Sequence, residues 1–179
     1  ALFVATFINA LLIPATPGTE IRGLGEMYPL NGPSWSLFFE YIGNILYALF
    51  IRKFSTAMLA LLVVVAGCAL AVFSIFGPYG DICAGFSLTG IEFTGGFFRL
   101  LYSFSAGLLL FRMFKPTHIK GAFWICSLAV IVLLAVPRLG GAGHLWMNGL
   151  YDTICFALLF PLIVYLGASG KITDRYTKR

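Results

Sequence analysis

Apolar and polar residues alternate along this chain in long blocks rather than residue by residue. A helix needs about 20 mostly apolar residues to cross a bilayer, so blocks of nearly this length predict transmembrane helices. We therefore expect an all-α, polytopic transmembrane bundle of about six helices in a single domain. The predicted helices cover residues 1–13, 34–53, 56–76, 97–114, 121–136 and 149–166, and a basic tail follows at 167–179.

The first block is shorter than the others. Residues 1–13 fall short of the roughly 20 that a span requires, and Pro14 and Pro17 end the apolar run. We interpret this block as the end of a truncated helix, and the chain as an internal fragment of a longer protein.

Two local features predict how the later helices pack. Ser103 and Gly107 form a small-xxx-small pair, which favours the close approach of a second helix. Pro161 lies inside the last apolar block and predicts a kink there.

The helix that follows Asn31-Gly32-Pro33 carries a polar stripe. Ser34 is a good N-cap candidate. Ser36, Glu40 and Asn44 recur every four residues, with Tyr47 close to the same line, so they share one helical face. A carboxyl group among lipid tails costs several kcal/mol, and such a group normally faces a bundle interior or a wet cavity. Glu40 is therefore a candidate interior site, and a purely structural hydrogen bond to a neighbouring helix is the equally weighted alternative.

Composition supports the membrane interpretation. The chain is 60% hydrophobic and only 11% charged, whereas soluble domains carry about a quarter charged residues. Its partner is therefore a lipid bilayer. The aromatic residues are not interleaved with a basic patch, so nothing indicates nucleic-acid binding.

The net charge of +5 comes from residues near the predicted helix ends. Under the positive-inside rule, the side richer in Lys and Arg is cytoplasmic, which places Glu40 in the outer half of the membrane. Nine of the 12 lie on one side: Arg52, Lys53, Arg112, Lys115, Lys120, Lys171, Arg175, Lys178 and Arg179.

Arg99 and Asp152 are the other ionisable candidates near membrane depth. Both are predicted near the outward ends of their helices, so they could share one cavity with Glu40. Snorkelling to the interface would also explain Arg99, and stabilisation by the dipole in the first turn of its helix would explain Asp152. His144, in a Gly-rich loop, is a weaker candidate for a general base than for a solvated side chain.

Familiar motifs for nucleotide, zinc or nucleophilic chemistry do not occur in the sequence. The four cysteines show no metal-ligand spacing and predict no disulfide framework. No bound cofactor or metal is expected. From the residues alone, transport and acyl transfer are both compatible with an outward polar site.

Residues 30–41, with the run Trp35-Ser36-Leu37-x-x-Glu40 at the start of a helix, resemble a signature of the membrane acyltransferase 3 family. A second block, residues 99–107, is similar to that family's helix of the form Arg-x4-Phe-x2-Gly. Family members are bacterial inner-membrane O-acetylases with about ten core helices. The resemblance spans the whole chain, but the family's catalytic His and arginine motif would precede Ala1.

The resemblance implies transfer of an acyl group, usually acetyl from acetyl-CoA, to a sugar hydroxyl of a cell-envelope or exported glycan. In this chain it implies supporting catalytic roles for Glu40 and Arg99. It also implies a substrate-binding set that consists of Trp35, Ser34, Ser36 and Asn31. We add Asp152 to this set as a further substrate-binding candidate. A fragment without the catalytic His would be inactive. The alternatives are a transporter or glycan flippase subunit, and a non-catalytic membrane scaffold.

Overall fold

The structure is a computed structural model that describes residues 2–15, 25–141 and 143–170. Within these ranges it is all-helical and contains no β-strand. Two isolated bridge pairs, Glu26 with Ser87 and Ile119 with Gly170, connect non-helical segments. The predicted all-α class is confirmed. The predicted tail lies outside the described residues beyond Gly170.

Six helices form the described bundle, and a short 3-10 turn at Ile51–Lys53 follows the second one. The last helix contains a π-helical segment, Cys155–Leu159. The helices are α1 (Leu2–Ala10), α2 (Ser34–Leu49), α3 (Thr56–Phe76), α4 (Gly90–Met113), α5 (Ala122–Leu134) and α6 (Leu145–Ala168).

Three of these helices, α3, α4 and α6, are long and apolar enough to cross a membrane. The apolar α5 has 13 residues and is shorter than a span. Large apolar side chains such as Leu61, Phe111 and Leu158 remain exposed on the long helices. Such a surface is costly in water and favourable in lipid, so the protein associates with a membrane.

Helix α3 is central and packs most extensively against α4 and α6. It touches α6 where Gly149 meets Ser74: a Cβ added at Gly149 would lie 2.1 Å from the Ser74 carbonyl oxygen. The Ser74 hydroxyl donates a hydrogen bond to the Gly149 carbonyl at 3.1 Å. Helix α2 joins through Gly43, which faces the side chains of Leu100 and Phe104 on α4.

Contacts between loops define two ends of the bundle. At the Gly90 end, an ion pair between Asp81 and Arg138 connects the α3–α4 and α5–α6 loops. At the Met113 end, Arg112 Nη1 donates to the Phe54 carbonyl at 2.7 Å. The segments at the Met113 end carry Arg52, Lys53, Arg112, Lys115 and Lys120.

The predicted bounds of α3 match the structure, whereas α4 and α6 begin earlier than predicted. Helix α4 starts at Gly90 instead of residue 97, because Gly95 and Gly96 are helical and buried rather than part of a loop. Their missing side chains leave room for Phe73, Ala84 and Phe39.

Helix α6 starts at Leu145 instead of residue 149, so the prediction that Asp152 lies in its first turn was wrong. Asn148 stabilises the first turns of α6 against the preceding loop. Its Oδ1 accepts a hydrogen bond from the Leu139 N–H at 2.7 Å, and its Nδ2 donates one to the Leu139 carbonyl at 3.0 Å.

Three smaller predictions are also corrected. Ser34 is not an N-cap, because Pro33 occupies the cap position in a helical conformation and no side chain caps the helix. The predicted helix 34–53 is α2 followed by the separate 3-10 turn. The pair Ser103 and Gly107 does not bring a helix close: both residues are exposed, and a Cβ at Gly107 would meet nothing within 4 Å.

Candidate functional site

A short loop segment at the Gly90 end, residues 82–85, is held by side chains from three helices. Arg99 in α4 donates from Nη1 to the carbonyl of Ile82 at 3.1 Å and to that of Ala84 at 3.4 Å. A guanidinium can donate several hydrogen bonds in a fixed fork, which suits it to gather carbonyls that no helix satisfies.

Two carboxylates bind N–H groups of the same segment. Glu92 Oε2 in α4 accepts from the Gly85 N–H at 3.0 Å, and Asp152 Oδ2 in α6 accepts from the Ile82 N–H at 3.3 Å. Donors and acceptors of one non-helical segment are thus paired with ionisable side chains inside the bundle. Unpaired, each buried backbone group would cost about 1–3 kcal/mol.

Trp35 in α2 closes the arrangement. The Arg99 Cζ atom lies 4.9 Å from the centroid of the Trp35 ring, a cation–π geometry. Gly85 passes the same ring with φ at +114°, and a Cβ there would lie 3.1 Å from both Trp35 and Gly96. Only glycine suits this backbone and this space. We call Trp35, Glu92, Arg99 and Asp152 the loop clamp.

Among the residues that the structure describes, Arg99 has no carboxylate within ion-pair distance. The clamp carboxylates face backbone N–H groups instead. Arg99 is partly buried, and buried charges are normally paired. Among the described residues, the direct polar contacts of the Arg99 guanidinium are therefore carbonyl dipoles and a ring face rather than a carboxylate.

Glu92 is the most deeply buried acid of the clamp, with 3% of its surface exposed. Its Oε1 atom is buried, and no hydrogen bond of regular geometry reaches it from the described residues. The Tyr79 hydroxyl lies nearby: hydrogen bonding to the Glu92 carboxylate, and then its charge, raise the pKa of Tyr79 above 10.0.

A cavity of about 300 Å³ opens beside the clamp, between α3, α4 and α6. Arg99 and Ser103 contribute polar atoms to its wall, while Leu70 and Phe156 contribute apolar ones. The cavity lies against the π-helical segment and Pro161. Pro161 thus lies next to an irregular region of α6, since the π-helical segment ends two residues before it.

The structure brings three of the sequence-predicted site residues together and separates the others. Trp35, Arg99 and Asp152 meet at residues 82–85. Ser34 is buried at the start of α2, and Ser36 donates to the Pro33 carbonyl at 2.9 Å. Asn31 is exposed, and its carbonyl accepts from the Ser34 N–H at 3.0 Å.

Glu40 does not join the clamp. Its side chain is exposed and makes no hydrogen bond or ion pair with a described residue, although its carbonyl accepts from Asn44 Nδ2 at 2.9 Å. The expected position of Glu40 inside the bundle, near Arg99, was therefore wrong for the described residues. The inward face of α2 carries Phe39 and Gly43 instead, because they pack against α4.

Sequence reasoning missed Glu92 as a site residue because it placed residues 77–96 in a loop. A signal was available: Thr89-x-x-Glu92 matches the Ser/Thr-x-x-Glu pattern that marks helix N-termini. Thr89 is indeed the N-cap of α4, but Glu92 binds Gly85 rather than completing the capping box.

His144 is exposed at the start of α6. The residues that the structure describes contain no group of three or more His, Cys, Asp or Glu side chains suited to a metal ion.

Comparisons with protein-family models, with curated proteins and with solved structures find no match.

Proposed function

We propose that this chain forms part of a membrane-embedded O-acyltransferase, which transfers an acyl group, acetyl from acetyl-CoA, to a sugar hydroxyl of a cell-envelope or exported glycan. One observation carries the proposal. Trp35 and Arg99 belong to the two separate sequence blocks that resemble the membrane acyltransferase 3 family, and they stack at 4.9 Å. Residues distant in sequence thus share one site.

In this proposal, Arg99 stabilises negative charge that develops on the transferred acyl group, since a preorganised cation in a dry site acts strongly on such charge. Trp35 shields the guanidinium from water. Asp152 and Glu92 fix the loop that holds Arg99 in place. Glu40, exposed on α2, hydrogen-bonds the acceptor or a group outside the described residues.

The same proposal assigns the sides of the membrane. The basic Met113 end faces the bacterial cytoplasm, where the acyl-CoA donor is present, and the loop clamp lies toward the opposite side. The charge asymmetry between the two ends supports this orientation in the inner membrane.

A transporter or glycan flippase subunit is the second candidate, and one observation favours it. Helix α6 is interrupted by its π-helical segment beside the cavity. Transporters often build binding sites from interrupted helices, where freed backbone groups meet the substrate.

Acyl transfer in membranes from cells that produce the whole enzyme of which this chain is proposed to form part tests the first candidate. We expect Arg99→Gln to lower transfer of labelled acetyl to glycan by about 10²-fold or more, because a charge-stabilising donor is lost. Arg138→Gln is the matched control, since the Arg138 side chain is 66% exposed and its one ion pair among the described residues is with the loop residue Asp81. Undiminished transfer in Arg99→Gln membranes, at equal protein abundance, would contradict the proposal.

Glu40→Gln is the second variant in the same assay. We expect it to abolish glycan acylation and leave protein abundance unchanged, because the exposed side chain makes no hydrogen bond or ion pair with a described residue. Acylation at the wild-type level in the Glu40→Gln variant would show that Glu40 is not part of the site. Glycan translocation that depends on Arg99, with no acyl transfer at all, would favour the flippase.

A further inference from the structure

The cavity beside the loop clamp is elongated along α4, and its lining is mostly apolar. Arg99 and Leu110 both line it, and at the α-helical rise they lie about 16 Å apart along α4. Leu70, Phe156 and Val164 supply apolar walls from α3 and α6. An apolar slot of this length matches an extended hydrocarbon chain.

Arg99 is the only charged residue that lines the cavity among the described residues. Its Nη1 atom binds loop carbonyls, whereas Nη2 and Nε donate to no described group. No described carboxylate forms an ion pair with Arg99, so its remaining donors favour an anion that can meet the cation directly. A carboxylate fits best, because its two oxygens match the guanidinium fork.

The α4 side of the cavity is open. Ser103 and Gly107 are exposed, and a Cβ at Gly107 would meet nothing within 4 Å. A ligand can therefore enter sideways from the lipid and leave the rest of its chain outside. The volume of about 300 Å³ lies at the lower limit of small-molecule sites, which suits one chain rather than two.

We propose that this cavity binds a long-chain carboxylate of the fatty-acid class. The carboxylate meets Arg99, and the hydrocarbon chain extends along Gly107 toward Leu110 and Val164. This binding site goes beyond the proposed acyl transfer and does not depend on it, because occupancy requires neither a donor nor an acceptor.

Photolabelling of the purified chain in zwitterionic detergent tests the proposal. The probe is a fatty acid with a diazirine near the end of its chain, and labelled peptides are identified by mass spectrometry. We expect labelling on the Leu110 side of α4 and near Val164. Oleate should compete, whereas methyl oleate, with the same chain and no charge, should compete about tenfold less well or worse.

Substitutions at Gly107 and at Arg99 test the space of the cavity and its charge separately. Gly107→Phe fills the cavity and should reduce labelling by about tenfold. Gly90→Phe is its matched control, since Gly90 also lies on α4 with nothing within 4 Å of an added Cβ. Arg99→Gln should reduce labelling, and Arg99→Lys should restore part of it.

Several results would overturn the proposal. Equal labelling of Gly107→Phe and Gly90→Phe would remove the cavity as the site. Equal competition by oleate and methyl oleate would show that the site does not recognise the carboxylate. Stronger competition by an alkyl phosphate of the same length would assign the site to a phosphate instead. Because Gly107→Phe leaves the clamp intact, the test holds even if Arg99→Gln fails to fold. Loss of acyl transfer with labelling retained would leave this inference standing.

Discussion

The polar stripe of α2 and the loop clamp both place acidic side chains on apolar helices, yet they have opposite surroundings. Glu40 on the stripe is exposed and has no side-chain partner among the described residues. Glu92 in the clamp is 3% exposed and accepts a hydrogen bond from Gly85. The sequence predicted that the regular stripe faces the bundle interior. The acid that is buried in the structure is Glu92, which is the one acidic residue of α4.

The difference follows from what each acid can pair with inside the bundle. The clamp acids meet a non-helical loop, where the N–H groups of Ile82 and Gly85 donate to no other described group. The inward face of α2 meets helix α4, whose backbone groups are already paired within the helix, so apolar contact is favoured there. The clamp acids are buried where backbone groups without a helical partner are buried with them.

The largest effect is expected where the clamp loop crosses α4. A Cβ at Gly96 would lie 2.6 Å from the Phe39 ring and 2.7 Å from the Gly85 Cα. We expect Gly96→Val to lower the free energy of unfolding by about 3 kcal/mol, because overpacked side chains and backbone must shift. Denaturant unfolding in micelles measures it. Gly90→Val, on the same helix with open space, is the control; equal losses would show that the crossing is not tight.

A smaller effect separates the two acids directly. Glu92→Ala leaves the Gly85 N–H buried without its acceptor, so we expect a loss of about 2 kcal/mol in the free energy of unfolding. Glu40→Ala should change it by no more than about 0.5 kcal/mol, as is usual for exposed positions. The same unfolding measurement compares them, and similar losses for both variants would remove the distinction between stripe and clamp.

The smallest effect concerns the titration of Tyr79. Hydrogen bonding to Glu92 and its charge raise the pKa of Tyr79, so Glu92→Gln should lower that pKa toward 10.0. In the folded state, the Tyr79 hydroxyl therefore keeps its proton at pH values at which the unfolded chain has already lost it. Stability linked to Tyr79 is therefore complete below pH 10.0 and falls as pH rises through the folded pKa.

Tyrosinate absorbance, taken as the difference from a Tyr79→Phe variant, reports this titration. Glu40→Gln serves as the control and should leave the Tyr79 curve unchanged. A curve that moves equally in both variants would mean that Glu92 is not its cause.

Sequence patterns predicted much of the fold and part of the clamp. Block lengths and hydropathy predicted the helical class and the bounds of α3, which in the structure follows its N-cap Ser55 and ends before Gly77. Arg99 and Asp152 were recognised as candidates from their types and positions, and Trp35 from the sequence resemblance. The starts of α4 and α6 were missed, since Gly95 and Gly96 look like a loop until tight packing explains them.

The sequence by itself determined that this is a helical membrane protein, because apolar block length and scarce charge leave few alternatives in lipid. It also determined which residues share a helical face, since the periodicity of the helix is local. Only the tertiary structure decided which face turns inward. That choice depends on what each face meets, and Glu92 is buried while Glu40 is exposed because the loop at residues 82–85 needs partners that α4 and α6 supply.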